Sequence, residues 1–191
     1  MRMDSELAAC RRCDLWRAAT QAVGGEGPAE AKIMLVGEQP GDAEDIAGAP
    51  FVGPAGRVLN EALRLAGLER DCLYVTNAVK HFKHEMRGKR RLHKRPDDGE
   101  IIACRLWLDA ERARIEPRVI VAMGATAAFA VLGRHLPVLG SRDKVFQVPP
   151  AARAVVTVHP SYLLRMRDKP AWSKALADLA GDLRRAAELA V

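Results

Sequence analysis

Two periods of apolar residues run along this chain. Four runs are near-continuous: IMLVGE (33–38), LYVTNAV (73–79), VIVAMG (119–124) and AVVTVHP (154–160). Unbroken apolar character over so short a span predicts strands buried on both faces. Helical spacing fills the gaps: AGRVLNEALRLAGL (55–68), DDGEIIACRLWLDAERARI (97–115), GATAAFAVLG (124–133) and ALADLAGDLRRAAELAV (175–191). The alternation of strand and helix predicts a three-layer α/β/α fold around a central four-stranded parallel sheet. No internal repeat or low-complexity tract interrupts it, so residues 1–191 read as one domain. The basic segment 83–96 is the one long loop, inserted after the second strand.

Ligands of such sheets bind at the carboxyl ends of the strands. Those ends carry Glu38, Gln39 and Pro40, then Asn77, Lys80 and His81, then Gly124, then His159, Pro160 and Ser161. Polar residues therefore gather on one edge of the sheet, which makes that edge the expected site.

Charge sharpens the picture. The 191 residues are 49% hydrophobic and 28% charged, the composition of a globular chain with a real core. Net charge is +6, and KHEMRGKRRLHKR (83–95), with seven Lys or Arg and one Glu, accounts for all of it. Such focusing suits a polyanionic partner, although a solvated loop has the same composition. No apolar run approaches the roughly 20 residues of a membrane span, and MRMDSELAACRRC has no apolar signal region. The expected location is a bacterial-type cytoplasm, with no membrane partner, where thiols stay reduced.

The four cysteines then point to metal or packing. Cys10 and Cys13 form a C-x-x-C pair, and Cys104 lies in the helix after the basic segment. A fourth ligand would be Cys72 or His81. These flank the second strand, whose seven residues at ~3.3 Å each hold them apart. One site cannot take both.

GEQPGDAEDIAGAPFVGPAG (37–56) and VTVHPSYLLR (156–165) resemble the paired motifs of uracil-DNA glycosylases, and most closely the iron–sulfur branch, family 4. The match runs over nearly the whole chain and implies a uracil-DNA glycosylase-like fold. Three departures from ordinary family 4 members resemble the UdgX branch, which binds DNA covalently after removing uracil. They are Gln39 within GEQPG, His81 where the third cluster cysteine stands, and the basic segment ending in KRRLH.

The resemblance implies roles for particular residues. Phe51 stacks on the base, and Asn77 reads the edge that distinguishes uracil from cytosine. His159 donates to uracil O2 as it becomes anionic, helped by backbone N–H groups near Gln39, Gly41 and Asp42. Gln39 stands where classical members keep the water-activating aspartate, and it cannot act as a carboxylate base. His93 then attacks C1′ itself, with Glu38 orienting it and taking its second proton, and the surrounding cations keeping its imidazole neutral. The adduct has a poor leaving group, which implies a single turnover. Arg91 fixes the loop or a phosphate. Lys89, Arg90, Lys94, Ser161 and Arg165 contact DNA, single-stranded by preference, and the protein acts as a monomer. A [4Fe–4S] cluster is implied on Cys10, Cys13, His81 and Cys104, structural in role, with zinc on the same Cys₃His set as the rival. Cys72 is expected to be a packed core thiol, and His84 and His135 surface or structural residues. Two other functions fit the same residues: a turning-over glycosylase whose His93 only touches DNA, and a non-catalytic iron–sulfur module that binds nucleic acid.

Overall fold

Every residue of strands β1 (Ile33–Gly37), β2 (Tyr74–Asn77) and β5 (Val119–Met123) is buried, as unbroken apolar runs require when both faces are covered. These strands belong to the computed structural model of the chain, which describes residues 2–191. Their neighbours are helices α1 (Arg2–Ala8), α2 (Asp42–Ala47), α3 (Pro54–Ala66), α4 (Asp98–Ile115), α5 (Ala125–Leu132) and α6 (Lys169–Leu189). A second sheet is the two-stranded ribbon β3 (His84–Arg87) and β4 (Arg90–His93), and the main sheet is completed by β6 (Val145–Val148) and β7 (Ala152–Thr157).

The main sheet has the order β2-β1-β5-β7-β6. β2, β1, β5 and β7 are parallel, which gives the four strands and the helix-flanked layers that the hydrophobic pattern predicts. β6 is a fifth strand, antiparallel to β7 at the sheet edge. Its residues are mostly solvated, so no long apolar run announces it. Successive strand residues face opposite layers. Met34, Val36, Ile120 and Ala122 pack toward α4 and α5. Leu35, Val75, Val121 and Met123 pack toward α3 and α6. The order reverses at β1, whose neighbours on either side are β2 and β5, so a crevice opens beyond the carboxyl ends of these strands.

Two expectations are corrected. The basic segment is an antiparallel hairpin instead of a loop, with His84 opposite His93 and Arg87 opposite Arg90. Its turn is Gly88–Lys89, and Gly88 sits at φ 62°, the left-handed region that a two-residue hairpin turn requires. Cys72 is exposed and not a core thiol, because it lies in the turn before β2. His84 stacks on Phe82, and His135 stacks on Phe129 while bonding Asp98, which makes both structural as expected. Among the described residues no helix is long and apolar enough to cross a membrane.

Candidate active site

The crevice is a cleft of about 980 Å³, lined by both sequence motifs and by His93 from the hairpin. Glu38 stands at its floor, immediately after β1. Thr126, at the start of α5, donates to Glu38 Oε2 at 2.7 Å. His93 Nε2 lies 3.1 Å from Glu38 Oε1. Burial opposes the Glu38 charge, but the bonds from His93 and Thr126, with His159 nearby, hold the carboxyl below the ordinary glutamate value.

His159 follows β7 and is fixed by its own turn. Its Nδ1 accepts from the Ser161 backbone N–H at 3.1 Å, with the Ser161 hydroxyl at 2.8 Å. A ring nitrogen that accepts from a peptide N–H carries no proton, so the neutral ring bears its proton on Nε2. Burial, with His93 and Arg165 near, pushes the His159 pKa down to about 4 against the pull of Glu38. Its Nε2 is buried without a partner. So is Asn77 Oδ1, at the end of β2. A fixed donor and a fixed acceptor, both buried and unanswered, call for a polar ligand between them.

Phe51 borders the same space, its ring 5.8 Å from that of His159. It sits at φ 55°, a conformation a bulky residue adopts only where its surroundings force it. Gly56 makes room for that backbone: a Cβ there would lie 1.8 Å from the Phe51 carbonyl oxygen. Gly37 makes room from below, since its Cβ would meet Asn77 Oδ1 at 2.4 Å and the Phe51 ring at 2.5 Å.

The hairpin is pinned at both ends. At its base, Gln39 donates to the carbonyls of Lys83 (3.2 Å) and Lys94 (3.0 Å) and accepts from Lys83 N–H (3.0 Å). Farther along, Arg91 donates to Asp42 (2.6 Å) and Asp45 (2.5 Å) on α2 and to Thr20 (3.2 Å). The Gln39 side chain thus holds the hairpin. Arg91 fixes the hairpin through Nε and Nη1, the first of its two expected roles. The Asp42 carboxylate is its partner. Gly41, Ser161 and Arg165 line the cleft, whereas Lys89, Arg90 and Lys94 lie outside it on exposed hairpin surface, with Lys94 paired to Glu85 at 3.0 Å.

Residues 25–180 match the uracil DNA glycosylase superfamily. The chain belongs to that superfamily. Over 171 residues, 89% of this chain and 85% of the relative, it is 38% identical to the Type-4 uracil-DNA glycosylase of Thermotoga maritima. It is 41% identical over 124 residues to the Type-4 enzyme of Sulfurisphaera tokodaii, a match spanning 64% of this chain and about half (53%) of that relative. It is 31% identical over 179 residues to the Type-5 uracil-DNA glycosylase of Pyrobaculum aerophilum, covering 83% of this chain and 74% of the relative.

Some residues of this superfamily site escape sequence reasoning. Glu44 accepts from the backbone N–H groups of Gly41 (3.1 Å) and Gly53 (2.8 Å), tying the two halves of the first motif together. Its position three residues after Gly41 is a capping-box spacing that was readable. Thr126 had no signal, because only the parallel pairing of β1 with β5 brings it to Glu38. Tyr162 and Leu164 are exposed apolar residues at the rim.

The thiols lie apart from the cleft. Cys10 and Cys104 are buried and Cys13 half-buried. Cys104 Sγ accepts from Lys80 N–H at 3.2 Å, and Cys10 Sγ from the Trp107 indole at 3.2 Å. Burial raises the Cys13 pKa and pushes that of Cys104 up to about 12. Burial, with Arg11 near, holds His81 below the usual histidine value. Soft sulfurs that already accept N–H donors, and a His81 imidazole held below its usual pKa, fit an iron–sulfur or zinc group in donor chemistry. Among the described residues, however, no three Cys, His, Asp or Glu side chains converge closely enough to hold an ion.

Proposed function

We propose that this protein excises uracil from DNA and is then captured on the resulting sugar through His93. The observation that carries the reading is the 3.1 Å contact of His93 Nε2 with Glu38 Oε1, in the cleft that also holds His159 and Asn77. A uracil between the two orphaned groups would give its N3–H to Asn77 Oδ1 and receive the His159 Nε2–H at O2. Cytosine has no N3–H to give. As the N-glycosidic bond breaks, the electron pair leaves with uracil and His159 stabilises it. The His93 ring nitrogen not engaged by Glu38 then donates its lone pair to C1′, and the proton on the other nitrogen passes to Glu38. The product is a C–N bond to a neutral azole, which is a poor leaving group.

Uracil-containing single-stranded DNA is the partner in this reading. Cys10, Cys13, His81 and Cys104 would hold a [4Fe–4S] cluster, with zinc the alternative. Such a group would crosslink the N-terminal segment to α4 and take no part in the glycosidic chemistry.

The test is a denaturing gel. Wild-type protein mixed with a strand bearing one uracil should give a band that survives boiling in SDS. That band should need uracil and vanish with His93→Ser. Alkali-cleavable product accumulating beyond one equivalent, without a shifted band, would establish an ordinary glycosylase and leave His93 a DNA contact. Neither band nor cleavage would leave a binding module.

A further inference from the structure

Beyond Asn77 the chain folds back within three residues, which brings Lys80 beneath the end of β2. Lys80 is fully buried. Its ammonium donates to Thr76 Oγ1 (2.6 Å), to the Asn77 carbonyl (2.9 Å) and to Glu111 Oε2 (2.7 Å), which uses all three of its protons. Glu111, on α4, is equally occupied. It accepts from Thr76 at 2.8 Å on one oxygen and from Gly25 N–H at 2.9 Å on the other.

Stability alone does not account for this group. A buried ion pair can often be replaced by apolar residues with no loss, or with a gain, because desolvation offsets the attraction. An apolar pair would hold β2 on α4 equally well. What the ion pair adds is a bond to one particular carbonyl, that of Asn77. The Asn77 side chain ends in a buried acceptor without a partner. Such an atom favours any small rotation that finds it a donor. Gly37 closes one side of the amide and accepts from the Ala78 N–H at 2.9 Å, so the peptide after Asn77 is held on its N–H side by β1 and on its carbonyl side by Lys80.

We infer that the Lys80–Glu111 pair is a positioning device for base recognition, which holds the Asn77 carbonyl, fixes the direction of the Asn77 amide and so sets the preference for uracil over cytosine. The inference rests on the reading of Asn77 as the group that contacts the base.

The double variant Lys80→Met/Glu111→Gln removes the ammonium and with it the bonds to Asn77, Thr76 and Glu111. Methionine fills the same space, and glutamine keeps an acceptor for Gly25 and a donor for Thr76. Two strands that bind without reacting are compared, one carrying 2′-fluoroarabino-uridine and one the matching cytidine, since the fluorine withdraws electrons from C1′ and blocks cleavage. The wild type should prefer the uridine strand. The double variant should melt near the wild-type temperature and lose about tenfold of that preference, the scale of one misplaced bond to a base edge. In an Asn77→Ala background, the same two substitutions should change the preference no further. Three results would overturn the inference: an unchanged preference, an equal loss of affinity for both strands, or the same loss in the Asn77→Ala background. A wild type that does not distinguish the strands would instead remove the underlying reading of Asn77, and the inference with it. If the double variant does not fold, Lys80→Leu/Glu111→Met is measured in its place against the same outcomes.

Discussion

His159 is the residue on which the site's pH behaviour turns. Its folded pKa of about 4 lies below the ordinary value of 6.5, so it is a neutral donor throughout the physiological range. Excision should therefore show no inflection from His159 near pH 6.5. His159→Ala should slow excision by about 10²–10³-fold, the usual effect of removing one such donor, measured in single-turnover assays. The same shift links to stability. Between the folded and unfolded values the unfolded chain binds the extra proton, so stability falls as pH drops from 6.5 toward 4. Glu38, held low in the fold, adds to the loss at the acid end. Calorimetry from pH 7 to 4 should show the melting temperature fall, and fall less steeply in His159→Gln. Phe51 depends on a different residue. Gly56→Ala places a methyl 1.8 Å from the Phe51 carbonyl, backbone that cannot step aside. It should cost about 2–4 kcal/mol in denaturant melts and weaken binding of uracil-containing strands. The two motifs at 37–56 and 156–165 placed Glu38, Phe51, Gly56 and His159 in the sequence; the orphaned atoms of His159 and Asn77 came from burial, which no local pattern encodes.

Among the elements, the hairpin β3–β4 carries His93 and is held by groups distant in sequence. Gln39 makes three of those bonds. Gln39→Ala should slow covalent capture by about tenfold or more, as positioning losses do, while uracil release falls less; timed gels scored for adduct and for abasic product separate the two. The exposed tip has another task. Replacing Lys89 and Arg90 with alanine should reduce the slope of log affinity against log salt by about 0.7 per lost contact on single strands, read by anisotropy titrations. The hairpin itself was legible in part: Arg87-Gly88-Lys89-Arg90 places glycine where a two-residue turn needs positive φ. The charge run hid it, because the flanking strands are solvated and show no apolar alternation.

For the molecule as a whole, the cleft and the thiols are separate places with separate chemistry. The cleft lies at the strand end, and the thiols lie between the N-terminal segment and α4. A bound cluster would join chain ends 91 residues apart, the separation already bridged by the Arg12 to Ala103 hydrogen bond. Cys104→Ser should lose iron and the brown chromophore by elemental analysis and visible absorption, and should melt lower than wild type. It should keep the His93–Glu38 geometry and therefore measurable adduct at low temperature.

The layered fold, the sheet edge that bears the site and the residues of both glycosylase motifs were legible along the chain, because burial on two faces writes an unbroken apolar run and motif residues are contiguous. So were His93 and the thiols. Partners in space are another matter. Gln39 became a holder of the hairpin and Arg91 found its carboxylates on α2, Thr126 and Glu44 entered the site, Phe51 took a positive φ, and Lys80 was set under Asn77. Each of these outcomes depends on which strands lie side by side and on which polar groups find partners away from water. Such pairings join residues far apart in sequence, and no local periodicity records them.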